Sequence, residues 1–204
     1  MWYAGCLKRV MDFTVAAIAL AALSWLMVAV ALLLHFANHG AGVLFIQNRP
    51  GKDGKIFRLF KFKSMNDKCD SHGNLLPNME RLTPIGKFIR RTSIDELPQL
   101  LNVLRGDMAL IGPRPLLTRY LPYYTERERL RHSVRPGITG WAQVHGRNDL
   151  PWNERLELDA WYAEHVSFGL DSRIVWMTII KVIRHEGTSI EKLVPLDVER
   201  KENT

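Results

Sequence analysis

Asp95 and Glu96 stand side by side in the segment Arg90-Arg91-Thr92-Ser93-Ile94-Asp95-Glu96-Leu97-Pro98, and Gly112-Pro113-Arg114-Pro115 follows shortly after. An acidic pair among arginines suits the handling of a phosphate ester. One carboxylate attacks phosphorus or holds a metal ion, while guanidinium groups take phosphate oxygens through a planar fork. Two prolines fix the backbone on both sides of Arg114 and would present it rigidly to a diphosphate. The same residues also have a plainer use. Ser93-Ile94-Asp95-Glu96 has the S-x-x-E form of a capping box, in which Glu96 closes a helix start and Asp95 complements the helix dipole by ~0.3–1 kcal/mol. That dipole and the nearby arginines would keep Asp95 ionised. A Glu96 engaged in capping would be less free to bind a metal.

A second polar block, Pro136-Gly137-Ile138-Thr139-Gly140-Trp141-Ala142-Gln143-Val144-His145-Gly146-Arg147-Asn148, offers glycines, an aromatic ring, an amide and another arginine that could hold a nucleotide. Its glycine spacing fits neither a Walker loop nor a dinucleotide fingerprint.

The elements that must position these residues can be read from spacing. Val43 to Ile46 suits a strand or a helix end, and Asn48 to Gly54 is a Pro- and Gly-rich turn. Lys55 to Lys63 alternates basic and apolar residues at strand period, which predicts one apolar and one basic face. Asn66 to Met79 reads as a loop. Thr83-Pro84 starts a short basic helix over Ile85 to Arg91, and a helix from Ser93 would run to about Leu104 and end at Gly106. Thr125-Glu126-Arg127-Glu128 is another capping box. Pro151 to His165 carries Trp152, Leu156, Trp161 and Tyr162 at helical spacing, and Asp171 to His185 forms a last helix. Both of these last helices either pack their apolar faces inward or lie in a membrane interface.

The N-terminus carries an uncharged run from Phe13 to Leu34, long enough for a membrane helix of roughly 20 apolar residues. It exceeds the apolar region of a signal peptide, and no cleavage site follows. Lys8 and Arg9 precede the run, and every other Lys and Arg residue, beginning with Arg49, follows it. The positive-inside rule would place both flanks on the cytoplasmic side, which favours a helix that enters, bends at Ser24 and returns over a single crossing.

The formal net charge of +7 over 204 residues and a pI near 9.6 favour polyanionic partners. Cys6 and Cys69 are too few and too far apart for a disulfide scaffold, and no His/Cys spacing points to zinc. No nucleic-acid motif is present, so charge alone does not make this a nucleic-acid-binding protein.

With these segments in view, the chain resembles the bacterial small monotopic phosphoglycosyl transferases, which use polyprenyl phosphate. The resemblance covers nearly the whole chain. It includes the N-terminal apolar segment, Gln47-Asn48-Arg49-Pro50-Gly51, Lys61-Phe62-Lys63-Ser64-Met65, Ser93 to Leu100, Gly106-Asp107-Met108, Gly112 to Pro115 and Arg135 to Trp141. It implies a mainly α fold with a few short strands: a re-entrant helix-break-helix anchor over residues 1–42, then a catalytic domain over 43–204 with interfacial amphipathic helices. It implies residence on the cytoplasmic face of the bacterial inner membrane among phospholipids.

The implied reaction moves sugar-1-phosphate from a UDP-sugar to polyprenyl (undecaprenyl) phosphate and releases UMP, opening protein glycosylation or surface-polysaccharide assembly. By the same resemblance Asp95 is the nucleophile that forms a phospho-sugar aspartyl intermediate. Glu96, with Asp95, holds Mg²⁺. Arg114 takes phosphate oxygens, Lys61, Arg90 and Arg147 contact phosphate or nucleotide, and Asp159 and Asp171 support substrate binding. The family breaks its anchor at a Ser-Pro pair, whereas Ser24 is followed here by Trp25. The alternatives are direct attack by the lipid phosphate without an adduct, and a non-enzymatic scaffold that binds anionic lipid.

Overall fold

The computed structural model describes residues 3–38, 40–146, 149–184 and 194–202. A π-helical turn, Tyr3–Leu7, leads into α1, Lys8–Ala37. A hairpin of β1, Leu44–Pro50, and β2, Ile56–Phe62, follows, antiparallel with Leu44 opposite Phe62 and Pro50 opposite Ile56. The short α2, Asn78–Arg81, and α3, Pro84–Arg91, precede a single 3₁₀ turn at Ile94–Glu96 and then α4, Gln99–Arg105. Strand β3, Ala109–Ile111, pairs in parallel with β4, Gly137–Thr139, across an excursion that contains α5, Glu126–Arg129. The chain continues through α6, Trp141–His145, α7, Trp152–Glu164, α8, Phe168–Ile183, and α9, Leu196–Glu202. The mainly helical class with a few short strands is as expected.

Helix α1 has mean hydropathy 2.6 over its most apolar window and is long and apolar enough to cross a membrane. It does not stand away from the domain. Asp12, Ala16, Val30 and Leu34 are buried, and on a helix of 3.6 residues per turn these positions fall within about 40° of one another. Ala16 packs on Phe57, Leu59, Leu100, Val103 and Met108, while Val30 and Leu34 pack on Phe62 and Ile89. Polar tethers close both ends. Arg9 donates to the carbonyls of Val103 (2.5 Å) and Leu104 (2.9 Å), capping the C-terminus of α4. At the other end Asn38 donates to the carbonyls of Gly42 (3.0 Å) and Lys63 (2.8 Å). Lys8 and Arg9, read from sequence as a membrane flank, are internal tethers.

The expected helix break at Ser24 is corrected. Lys8–Ala37 is one helix, and the Ser24 hydroxyl donates to the Ala21 carbonyl at 2.9 Å within it. A serine back-bond of this kind is tolerated inside a helix, and without the family's proline no ring clash or missing N–H forces an interruption.

The face pattern of β2 also differs from expectation. Phe57 and Leu59 are buried on the face that also carries Lys61, and Phe60 and Phe62 are buried on the other. Both faces are therefore largely apolar, because α4 covers one and α1 with α3 cover part of the other. Helix α7 is a packed helix: Trp152 and Leu156 join Leu116, Tyr120, Tyr124 and Leu196, which removes it from the interfacial helices. Helix α8 keeps only Ile174 of its apolar residues in the core and exposes Phe168, Trp176, Ile179, Val182 and Ile183. Asn66 to Met79 is largely irregular, with an isolated bridge between Cys69 and Leu75.

Asp171 is the polar pin of this arrangement. One carboxylate oxygen accepts from Tyr3 and Lys8, each at 2.6 Å, and the other from Tyr162 at 2.7 Å. It thus joins the start of α1 to α7 and α8. Asp171→Ala should remove the close acceptor shared by Lys8, Tyr3 and Tyr162, leaving Lys8 with Asp12 at 3.9 Å and Tyr162 with the Ile111 carbonyl at 3.1 Å, and cost about 3 kcal/mol. Denaturant unfolding in detergent micelles measures this directly.

Candidate active site

The expected capping box at Ser93 does not form. Ser93 lies in the left-handed region (φ 57°) and its side chain caps nothing. This positive φ turns the chain sharply after α3, at a strain typical of functional sites. Asp95 and Glu96 then fall in one 3₁₀ turn, too short for the helix dipole invoked from sequence. The other two expected start signals do form: the Thr83 side chain accepts from the Gly86 amide, and Thr125 with Glu128 makes a complete capping box.

Freed from capping, Glu96 is gripped by cations. Its Oε1 accepts from Lys61 Nζ and from Arg114 Nη2, both at 2.8 Å. Lys61 reaches Glu96 because β2 is fixed in register against α4. The buried Asn102 amide accepts from the Phe60 N–H (3.1 Å) and donates to the Arg58 carbonyl (2.7 Å), serving β2 as a neighbouring strand would. Burial lowers the Lys61 ammonium from its usual range and the Arg114 charge acts the same way, while Glu96 and Asp95 oppose them.

Asp95 is differently placed. It is 9% exposed, and no described residue hydrogen-bonds its carboxylate. Burial pushes its carboxyl above the usual aspartate range and the charge of Glu96 adds to this; Lys61, Arg114 and Arg90 pull the other way. Arg90 is steadied by the buried Ser64 hydroxyl, which accepts from its Nε at 2.7 Å. Gly86 permits this approach, since a Cβ there would collide with the Ser64 carbonyl.

The loop that carries Arg114 is held by its backbone at every residue. Gly112 N–H donates to the Thr139 carbonyl at 2.9 Å, and the Pro113 carbonyl accepts from Gly137 N–H at 3.0 Å. The Arg114 carbonyl accepts from Arg131 Nη2 at 2.7 Å, and the Pro115 carbonyl from Arg49 Nη1 at 3.2 Å. A Cβ on Gly112, Gly137 or Gly140 would strike neighbouring backbone, so these glycines allow the two segments to touch.

The structure therefore brings together Asp95, Glu96, Lys61 and Arg114, with Arg90 close enough to act on Asp95. Arg147 lies outside the described residues. Asp159 and Asp171 are corrected as substrate contacts. Asp159 pairs through Oδ2 with buried Arg131 at 2.8 Å, while its Oδ1 is buried without a hydrogen-bond partner among the described residues, and Asp171 pins α1 with both oxygens bonded internally. Asn102, Arg131 and Ser64 were not singled out from sequence. Only Ser64 carried a signal, as part of Lys61-Phe62-Lys63-Ser64-Met65.

Residues 3–185 match the family described as bacterial sugar transferase. The chain belongs to that family. It is 52% identical over 181 residues to the uncharacterised sugar transferase EpsL of Bacillus subtilis, covering 89% of both proteins. It is 42% identical over 193 residues to the UDP-N-acetylgalactosamine-undecaprenyl-phosphate N-acetylgalactosaminephosphotransferase of Aeromonas hydrophila. It is 40% identical over 187 residues to the UDP-glucose:undecaprenyl-phosphate glucose-1-phosphate transferase of Escherichia coli. These matches take in 89% and 86% of this chain, but 44% and 40% of the two larger relatives. The acid-cation cluster of this sugar transferase thus sits inside the shared segment.

Because the carboxyl of Asp95 titrates above its unfolded value, its ionised form costs the fold. That cost is absent in acid, where Asp95 is protonated in both states, builds as pH rises from the unfolded value towards the folded one, and is complete above it. Asp95→Asn is therefore expected to raise the melting temperature at neutral pH and to lose that advantage on acidification, as a pH series of thermal melts would show.

Proposed function

We propose that this sugar transferase moves sugar-1-phosphate from a UDP-sugar to polyprenyl phosphate, undecaprenyl phosphate in particular, through a covalent intermediate on Asp95. The observation that carries this is the inequality of the two adjacent carboxylates. Glu96 is clamped by Lys61 and Arg114, whereas no described residue hydrogen-bonds Asp95, whose basicity is raised by burial. A more basic carboxylate is the better nucleophile. The relatives named for transfer to undecaprenyl phosphate support the acceptor and the donor class.

In the first step an Asp95 oxygen attacks the β-phosphorus of the UDP-sugar. The bond from that phosphorus to the bridging oxygen breaks, and UMP leaves with the electron pair. In the second step a phosphate oxygen of the lipid attacks the same phosphorus and displaces the Asp95 carboxylate, giving polyprenyl-diphosphate-sugar. Arg114 and Lys61 offset the negative charge that gathers on the phosphate oxygens, and Arg90 adds a third cation.

A magnesium ion fits this site as one carried in by substrate. Among the described residues no cluster of three or more His, Cys, Asp or Glu side chains forms a cage. Mg²⁺ commonly binds through one or two carboxylates plus substrate phosphates. Asp95 and Glu96 would hold it, and when bound it would neutralise diphosphate charge.

The apolar outer sides of α1 and the exposed apolar face of α8 support a monotopic seat on a phospholipid membrane. Both ends of the unbroken α1 are tied to one domain, so on this reading the helix lies along the membrane with the domain on one side of it; the inner membrane's cytoplasmic face is the side that holds UDP-sugars. On this reading the protein carries out the first membrane step of glycoconjugate assembly.

Incubation with UDP-sugar alone should add the mass of one sugar phosphate to the intact protein, and polyprenyl phosphate should discharge it. Asp95→Asn should abolish both the adduct and UMP release. UMP release without any adduct would favour direct attack by the lipid phosphate, and full activity of Asp95→Asn would overturn the assignment. The rate should fall in acid with a midpoint above the ordinary aspartate range, and Arg114→Met should move that midpoint higher, because the cation it removes favours the ionised carboxylate.

A further inference from the structure

Arg131 is a cation with almost no solvent contact. Its side chain and that of Asp159 are each 1% exposed. Arg131 Nε and Nη2 donate to Asp159 Oδ2 at 3.2 and 2.8 Å, and Nη1 donates to the Tyr124 hydroxyl at 3.4 Å. The other bond of Nη2 goes to the Arg114 carbonyl at 2.7 Å. Desolvating two charges is costly, and a well-packed apolar pair often replaces a buried ion pair with no loss of stability. Holding α7 against the preceding segment therefore does not by itself require ions. A rigid fork that bonds a carboxylate and a specific carbonyl together does require a guanidinium, which a lysine or an apolar residue cannot imitate.

We propose that Arg131 and Asp159 are positioning residues for Arg114. They act through the Arg114 carbonyl to fix the direction in which its guanidinium meets Glu96 and the diphosphate. Pro113 and Pro115 limit the loop's dihedrals, and Arg49 and β4 hold the neighbouring backbone groups. The Arg131 bond is the one at the residue whose side chain does the work. Asp159 fixes the fork in turn, so the carboxylate expected from sequence to meet substrate acts two bonds away from it.

The inference rests on the transferase function proposed above, and a double-mutant cycle tests the two separately. Steady-state UMP release and the affinity for UDP are measured for the full chain, for Arg131→Lys and for Arg131→Met/Asp159→Leu, each with Arg114 intact and with Arg114→Met. The paired Met/Leu variant leaves no unpaired buried charge and serves if Arg131→Lys fails to fold. With Arg114 intact each change should lower kcat/KM roughly 10- to 100-fold, the scale of a small misplacement of a reacting group. In the Arg114→Met background the same changes should cost less than about twofold, since coupled sites are non-additive. Melting temperatures should shift equally in both backgrounds. Equal kinetic losses in both backgrounds, with additive effects on UDP affinity, would overturn the positioning role. Absence of wild-type turnover together with non-additive effects on UDP affinity would count against the transfer reaction and support the positioning.

Discussion

Two cations meeting one carboxylate oxygen set the terms for this molecule. Lys61 and Arg114 converge on Glu96 Oε1 in a largely buried setting. A charge withdrawn from water is tolerable only when paired with good geometry. Each cation must therefore be delivered by an element that does not move. Lys61 comes from β2, which the Asn102 amide locks to α4. Arg114 comes from a loop tethered at all four of its backbone positions. Glu96 comes from a single 3₁₀ turn made possible by the left-handed Ser93. The same convergence separates two neighbours that carry the same functional group, since the Glu96 carboxylate is held while that of Asp95 is left without a hydrogen-bond donor among the described residues.

The apolar helix is part of this construction. Arg9 caps α4, the helix that follows the acidic turn, and Val30 and Leu34 pack on the end of β2 and on α3. Residues that read as membrane anchor thus bear on both sides of the acidic pair. The buried stripe of α1 leaves its other faces apolar and exposed, and α8, joined to the start of α1 through Asp171, adds Trp176 and Ile179 to the exposed apolar surface. The proposed lipid-phosphate acceptor and a buried acid-cation cluster are compatible in one small domain because the same helix borders the cluster and exposes an apolar surface.

Much of this was legible in the sequence, and the gaps have identifiable causes. Helix starts at Thr83 and Thr125, the β2 strand, the α4 terminus at Gly106 and the grouping of Asp95, Glu96, Lys61 and Arg114 followed from local pattern and family motifs. The capping box at Ser93 failed because local propensity competes with tertiary charge pairing, and two buried cations outweigh one backbone amide as partners for Glu96. The basic face expected of β2 failed because alternation reports side-chain direction, not what covers each face. Arg131 and Asn102 were silent because their partners lie 17 and 44 positions away, a range over which spacing carries no signal, and Ser64 showed only as one residue of a family motif. Asp159 and Asp171 stood out as acids, and only the fold shows that Asp171 is enclosed by internal donors and that Asp159 is buried against Arg131.

The division of labour between the two carboxylates is tested most directly by locating the covalent bond. Wild-type protein trapped with UDP-sugar, digested and sequenced by tandem mass spectrometry should carry the sugar phosphate on Asp95, and Glu96→Gln should still form the same adduct at a reduced rate. A sugar phosphate found on Glu96, or an adduct that persists in Asp95→Asn, would contradict the account.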